Sequence, residues 1–103
     1  MPDDARISRI LDTIRAIPKG FVQTYADIDP HAPRFVGRIL ATTDKEVPWY
    51  RVVRSDGSVS QGRRQLMRLR KEGVPLLRDR VDMTVARWPR GAKLVKKRSR
   101  AAR

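Results

Sequence analysis

The chain has 103 residues, of which 24 are Lys or Arg and 11 are Asp or Glu, giving a formal net charge of +13. Such a chain can form one domain with a modest core, and its charge calls for an anionic partner, most often nucleic acid. The lack of cysteine and the single histidine, His31, exclude disulfides, Cys-type zinc sites and thiol nucleophiles, and argue against any multi-histidine metal or Ser-His site.

In chain order, DDARISRILDTIRAI sets Ile7, Ile10, Leu11 and Ile14 at helical spacing, with Asp3 or Asp4 as N-cap and Pro18 and Gly20 as the stop. Arg6, Arg9 and Arg15 fall largely off that stripe, on a solvated back. The opening MPDDARIS is acidic and lacks the basic-then-apolar order of a signal peptide. Thr24 is the expected N-cap of a short helix beginning at Tyr25, with Asp27 in its first turn and Pro30 and Pro33 closing it. His31, in DPHAPR, reads as a solvated loop residue. PRFVGRILATT then begins a helix with Pro33 at or near its first position, running through Val36, Ile39 and Leu40. Two short helices joined by a tight turn make a helix-turn-helix, in which the start of the second helix meets DNA. Arg34 stands at that start and Arg38 one turn further on.

VPWYRVVRSDG places Trp49 and Tyr50 side by side in a chain otherwise poor in aromatics, either as core or as the floor of a pocket. A short β run is expected from Arg51 to Arg54, then a Ser55-Asp56-Gly57 turn and a polar, basic loop, SVSQGRR. RQLMRLRKEG reads as a helix with Leu66, Leu69 and Met67 inward and Gly73 as its C-terminal cap. RVDMTVARW alternates Val81, Met83 and Val85 as a strand leading to Trp88, which reads as a packing residue closing the domain. From Arg90 onward there are seven basic residues and no acidic one, which predicts a disordered tether over 90–103. The domain that remains, 1–89, keeps a net charge of +6. The expected architecture is mainly α with a short β element, a winged-helix-like helix-turn-helix domain. No apolar run approaches the ~18 residues of a membrane span, so the expectation is a cytoplasmic monomer, nucleoid-associated if bacterial, with no membrane partner and no cofactor.

Five pieces in this order, IPKGFVQTYADI, RFVG, VPWYRVVRSDG, LRKEGV and VDMTVARW, span most of the chain. In that order they resemble the DNA-binding, active-site domain of the O6-alkylguanine-DNA alkyltransferases and, more closely, their non-enzymatic relatives, the alkyltransferase-like proteins. The alkyltransferase motif is Pro-Cys-His-Arg-Val, in which cysteine accepts the alkyl group; here Pro48-Trp49-Tyr50-Arg51-Val52 stands in its place. Tryptophan at the cysteine position is the alkyltransferase-like pattern, whereas Tyr50 departs from the usual histidine. By that resemblance Tyr25 crowds the phosphate beside the target nucleotide and helps rotate it out, and Arg34 is the finger that fills the vacated place. Thr24, Gly37 and Arg38 would belong to the DNA-binding surface, and the helix bearing Arg34 would lie in the minor groove. The lesion pocket would be lined by Trp49, Tyr50 and the loop RSDGSVSQGRR, with Arg63 or Arg64 at the end of that loop contacting the flipped nucleotide or its phosphates. Arg51 and Glu72 match an internal polar framework, and Val52 and Val53 are core.

An indole donates one hydrogen bond and is not a nucleophile, so suicidal alkyl transfer is not expected of this chain. The resemblance implies a lesion sensor that flips O6-alkylguanine out of double-stranded DNA and passes the site to nucleotide excision repair proteins. Two other readings remain: a general basic winged-helix DNA binder without lesion preference, and a nucleoid or RNA-associated protein driven by the tail.

Overall fold

The computed structural model describes residues 2–88, with side chains from position 4; the expected tether, 90–103, lies outside the described residues. Helix α1, Pro2–Arg15, begins early enough to put positions 3 and 4 inside its first turn, so neither precedes it as a cap. Its stripe behaves as the spacing predicts: Ile10, Leu11 and Ile14 are buried and Ile7 packs against them. Strand β1, Gln23–Thr24, leads directly into α2, Tyr25–Ile28, and a turn through Pro30 brings in α3, Pro33–Thr42. Pro33 occupies the first turn of α3, where its missing N–H costs nothing. Helices α2 and α3 pack against each other as the expected helix-turn-helix.

The run expected as a strand over Arg51 to Arg54 is shorter. Trp49–Arg51 forms a single 3-10 turn and only Val52–Val53 is strand, β2. Strand β2 pairs in parallel with β1, Gln23 beside Val52 and Thr24 beside Val53. Because successive strand residues face opposite ways, these two valines serve different cores. Val52 packs with Ile10, Leu11, Ile14, Ile17, Ile28, Val36 and Ile39, whereas Val53 packs with Val22, Leu69, Val74, Val81 and Ala86.

Helix α4, Gly62–Lys71, ends where Gly73 takes φ +83°, and the Gly73 N–H to Arg70 O and Val74 N–H to Leu69 O bonds complete a Schellman cap. Leu69 is fully buried and Leu66 half-buried, but Met67 is 60% exposed and not inward; the polar Gln65 takes the buried place instead. A small antiparallel hairpin follows, β3 (Leu76–Leu77) against β4 (Arg80–Val81), and serves as the wing. The strand expected to continue through Val85 stops at Val81, because Asp82 accepts the Thr84 N–H and caps a short helix, α5, Met83–Ala86. That helix turns Ala86 inward and leaves Val85 exposed. Trp88 is fixed by its backbone, its N–H donating to Val22 O at 2.8 Å.

Candidate nucleic-acid interface

The helix-turn-helix is set by a capping box. The Thr24 hydroxyl accepts the Asp27 N–H and the Asp27 carboxylate accepts the Thr24 N–H, both at 3.0 Å. Thr24 is buried and its hydroxyl is occupied, so it shapes α2 instead of offering surface to DNA. Asp27 also receives two bonds from Arg87. Burial pushes the Asp27 carboxyl up, but the bonds from Arg87 and Thr24 outweigh it and hold the group below its ordinary value. Helix α2 is thereby tied to the end of α5. From α3, Arg34 and Arg38 both project into solvent four residues apart. Arg38 rests near the Phe35 ring, 6.0 Å from its centroid.

Beside α3 lies a cleft of about 450 Å³, lined by Tyr25, Gly37, Leu40, Ala41, Trp49, Ser60, Gln61, Arg64 and Gln65. Trp49 reaches it from the 3-10 turn, and the Arg64 guanidinium stacks over the indole at 4.7 Å from the ring centroid. Gln65 fixes the wall: its amide donates to Tyr50 O and Val52 O, and its Oε1 accepts from the Gln61 N–H. A shallower groove of about 440 Å³ shares Tyr25, Gly37, Ser60 and Gln61 with the cleft and adds Pro33, Arg34 and Arg54. Arg34 therefore stands at the approach to the space that Trp49 walls. Across the boundary, Tyr25 Oη and Ser60 Oγ lie 3.1 Å apart. Gly37 leaves room there, since a Cβ would stop 3.7 Å from Tyr25 Cε2.

Tyr50 is not among the residues lining the cleft. Its hydroxyl donates to Glu72 Oε2 at 2.9 Å, and Arg51 adds two bonds to the same carboxylate while its Nη1 donates to Ile17 O. Burial raises the Glu72 carboxyl, yet the Arg51 and Tyr50 bonds together with the Arg51 charge bring it below its ordinary value. Tyr50 and Trp49 meet edge to face with centroids 5.6 Å apart. Of the arginine pair, Arg64 lines the cleft and the exposed Arg63 does not.

Ser60 and Gln61 belong to the loop that the resemblance offers as pocket lining, whereas Leu40, Ala41 and Gln65 were not singled out from the sequence. Leu40 reads as an ordinary apolar helix position. Gln65 carried a usable signal, because it is a glutamine four residues before the buried Leu69 on the inward face of α4. Among the described residues no group of three His, Cys, Asp or Glu is arranged to hold a metal ion.

Residues 6–74 match the family described as 6-O-methylguanine DNA methyltransferase, DNA binding domain. A DNA base-flipping protein of Escherichia coli K12 is 33% identical over 98 residues, covering 84% of this chain and 76% of that protein. Alkyltransferase-like protein 1 of Schizosaccharomyces pombe is 34% identical over 86 residues, covering 71% and 80%. Among solved structures, S. pombe ATL in complex with DNA superposes with a TM-score of 0.71 at 26% identity, over 82% of this chain and 95% of that one. S. pombe Atl1 in complex with damaged DNA containing O6-carboxymethylguanine gives 0.69 at 27% identity.

Proposed function

Because this chain belongs to the 6-O-methylguanine DNA methyltransferase DNA-binding-domain family, we propose that it is a non-enzymatic sensor of O6-alkylguanine in duplex DNA. The observation that carries this reading is the cleft beside α3, walled by Trp49 and approached past Arg34 and Tyr25. Helix α3 enters the minor groove, where shape is read more than sequence. Tyr25 presses on the backbone beside the target nucleotide, and Arg34 follows into the stack, where a planar guanidinium can stack and hydrogen-bond the orphaned base. Gly37 lets the DNA backbone approach α3, and Arg38 holds a phosphate one turn on.

Flipping a base costs a few kcal/mol, less for a damaged and poorly paired one. Contact with the Trp49 face returns about 1–3 kcal/mol. Arg64 already stacks on that indole, so it is the arginine placed to meet the incoming base. The chain has no cysteine, and an indole cannot take an alkyl group by displacement. The lesion is therefore held and not repaired in place, and the bent complex is handed to nucleotide excision repair proteins.

A general basic DNA binder is favoured by the charge alone, since +13 would hold any duplex. A competition titration at near-physiological salt separates the two, using duplexes that differ by one O6-methylguanine. The sensor should prefer the lesion tenfold or more, about 1.4 kcal/mol, and Arg34→Ala should shrink that preference. Equal affinity for both duplexes would leave the general binder.

A further inference from the structure

Strands β1 and β2 run in parallel with Thr24 beside Val53, so the register delivers the next residues, Tyr25 and Arg54, side by side at one edge. Arg54 shares that edge with Arg34. Both line the groove of about 440 Å³ that borders the cleft through Tyr25, Gly37, Ser60 and Gln61. The groove lining holds these two arginines and no acidic residue. Among the described residues neither arginine has a carboxylate within ion-pairing distance. Like charges along one groove repel, and an anion between them relieves the repulsion.

Arg54 is already arranged to receive such an anion. Its backbone closes the turn after β2, its N–H donating to Ser58 O and its carbonyl accepting from the Gly57 N–H. Its Nη1 donates to Ser58 Oγ at 3.2 Å and to Val59 O at 3.3 Å. Those acceptors are neutral, so they hold the side chain without cancelling its charge. Among the described residues Nε and Nη2 have no partner. These two nitrogens form an edge of the guanidinium that can grip a phosphate bidentately.

We propose that Arg54 is a phosphate clamp: it grips a phosphodiester flanking the flipped nucleotide while the base occupies the cleft. The inference rests on the lesion-sensing reading above. Once Arg34 has moved into the stack, Arg54 is the cation of the groove lining that remains for a phosphate. Arg54 is exposed, so solvent screens the contact and its contribution is modest, about fivefold in affinity. It also adds roughly 0.9 to the salt slope of binding.

The test is a methylphosphonate scan. Duplexes with one O6-methylguanine carry a single neutral methylphosphonate in the lesion strand, moved across the phosphates on either side of the lesion. Each is titrated against wild type, Arg54→Gln and Arg54→Lys. In wild type, neutralising one phosphate that flanks the lesion should weaken binding about fivefold. In Arg54→Gln that loss should shrink to about twofold or less, with losses at the other positions unchanged. The salt slope on the unmodified duplex should fall by roughly 0.9 in the same variant. Arg54→Lys should keep the loss, because the charge remains although the planar fork is gone. A residue that only braces the turn would weaken every duplex alike, so an Arg54→Gln profile parallel to wild type overturns the inference. An Arg54→Lys profile matching that of Arg54→Gln does the same. So does a wild-type profile with no loss at either flanking phosphate, a result that needs no variant to fold. With the wild-type preference for O6-methylguanine over guanine intact, any of these overturns the clamp alone. Absence of that preference overturns the lesion-sensing reading and the clamp with it.

Discussion

Replacing Tyr50 by Phe separates the framework from the cleft, because it removes one hydroxyl and keeps the ring. In the folded protein Glu72 accepts four donors: Tyr50 Oη at 2.9 Å, Arg51 Nε at 2.9 Å, Arg51 Nη2 at 2.7 Å and the Gly20 N–H at 3.4 Å. The Arg51 and Glu72 side chains are only 14% and 11% exposed, so water compensates little for a lost bond. Three donors nevertheless remain in Tyr50→Phe, and the carboxylate is not left unpaired. The cost should be that of one hydrogen bond to a charged acceptor, about 1.5–3 kcal/mol. A domain of this size loses roughly 4–8 °C of Tm per kcal/mol, which puts the expected fall on the order of 6–24 °C. The ring would still take the Arg68 and Arg51 guanidiniums over its face. Thermal unfolding followed by circular dichroism measures the first effect, and competition between O6-methylguanine and guanine duplexes measures the second. The lesion preference should stay within about twofold of wild type, well under the 1.4 kcal/mol of a tenfold change. An unchanged Tm with a collapsed preference would refute the reasoning and place the phenol in the lesion site.

Two further outcomes follow from the same geometry. Gly37→Ala should stabilise the free protein by about 0.5–1 kcal/mol, since α3 gains helix propensity and the new Cβ meets Tyr25 at an ordinary 3.7 Å; duplex affinity should nonetheless fall, and a variant that binds as wild type would assign the glycine to packing alone. Stability should fall as pH drops below about 4.5, the ordinary value of Glu72. Glu72, Asp27 and Asp29 all sit below their ordinary values when folded, so the unfolded chain takes up protons first and the stabilisation is lost as pH falls through the depressed values. Urea midpoints measured across acid pH should show that slope, and Glu72→Gln should flatten it.

Much of the fold could be read from local patterns. The α1 stripe, the Thr24 cap and Pro33 at the head of α3 are decided within a few residues of sequence by helical spacing and side-chain capping, and each stands where the sequence puts it. What was misread depends on distant partners. Val81, Met83 and Val85 alternate as a strand should, but only Arg80–Val81 finds a partner in β3, and the Asp82 cap then wins locally. Met67 looks inward by composition, yet Gln65 takes the buried place, because its amide alone can bond the carbonyls of Tyr50 and Val52. That demand arises from a turn twelve or more residues away, and no periodicity within α4 encodes it.

The aromatic pair shows why adjacency in sequence is a weak guide to a shared site. Had Trp49 and Tyr50 been in a strand, they would face opposite sides; in an α-helix they would diverge by about 100°. The 3-10 turn instead separates successive side chains by about 120°, which sends Trp49 to the cleft and Tyr50 to Glu72. The Tyr50 hydroxyl donates to the Glu72 carboxylate at 2.9 Å, so Tyr50 supplies rigidity. That rigidity bears on the indole, because the two rings meet edge to face and the Tyr50 carbonyl is held by Gln65, itself part of the cleft lining. The division of labour thus comes from one tight turn, which lets two neighbouring aromatics serve as wall and as brace.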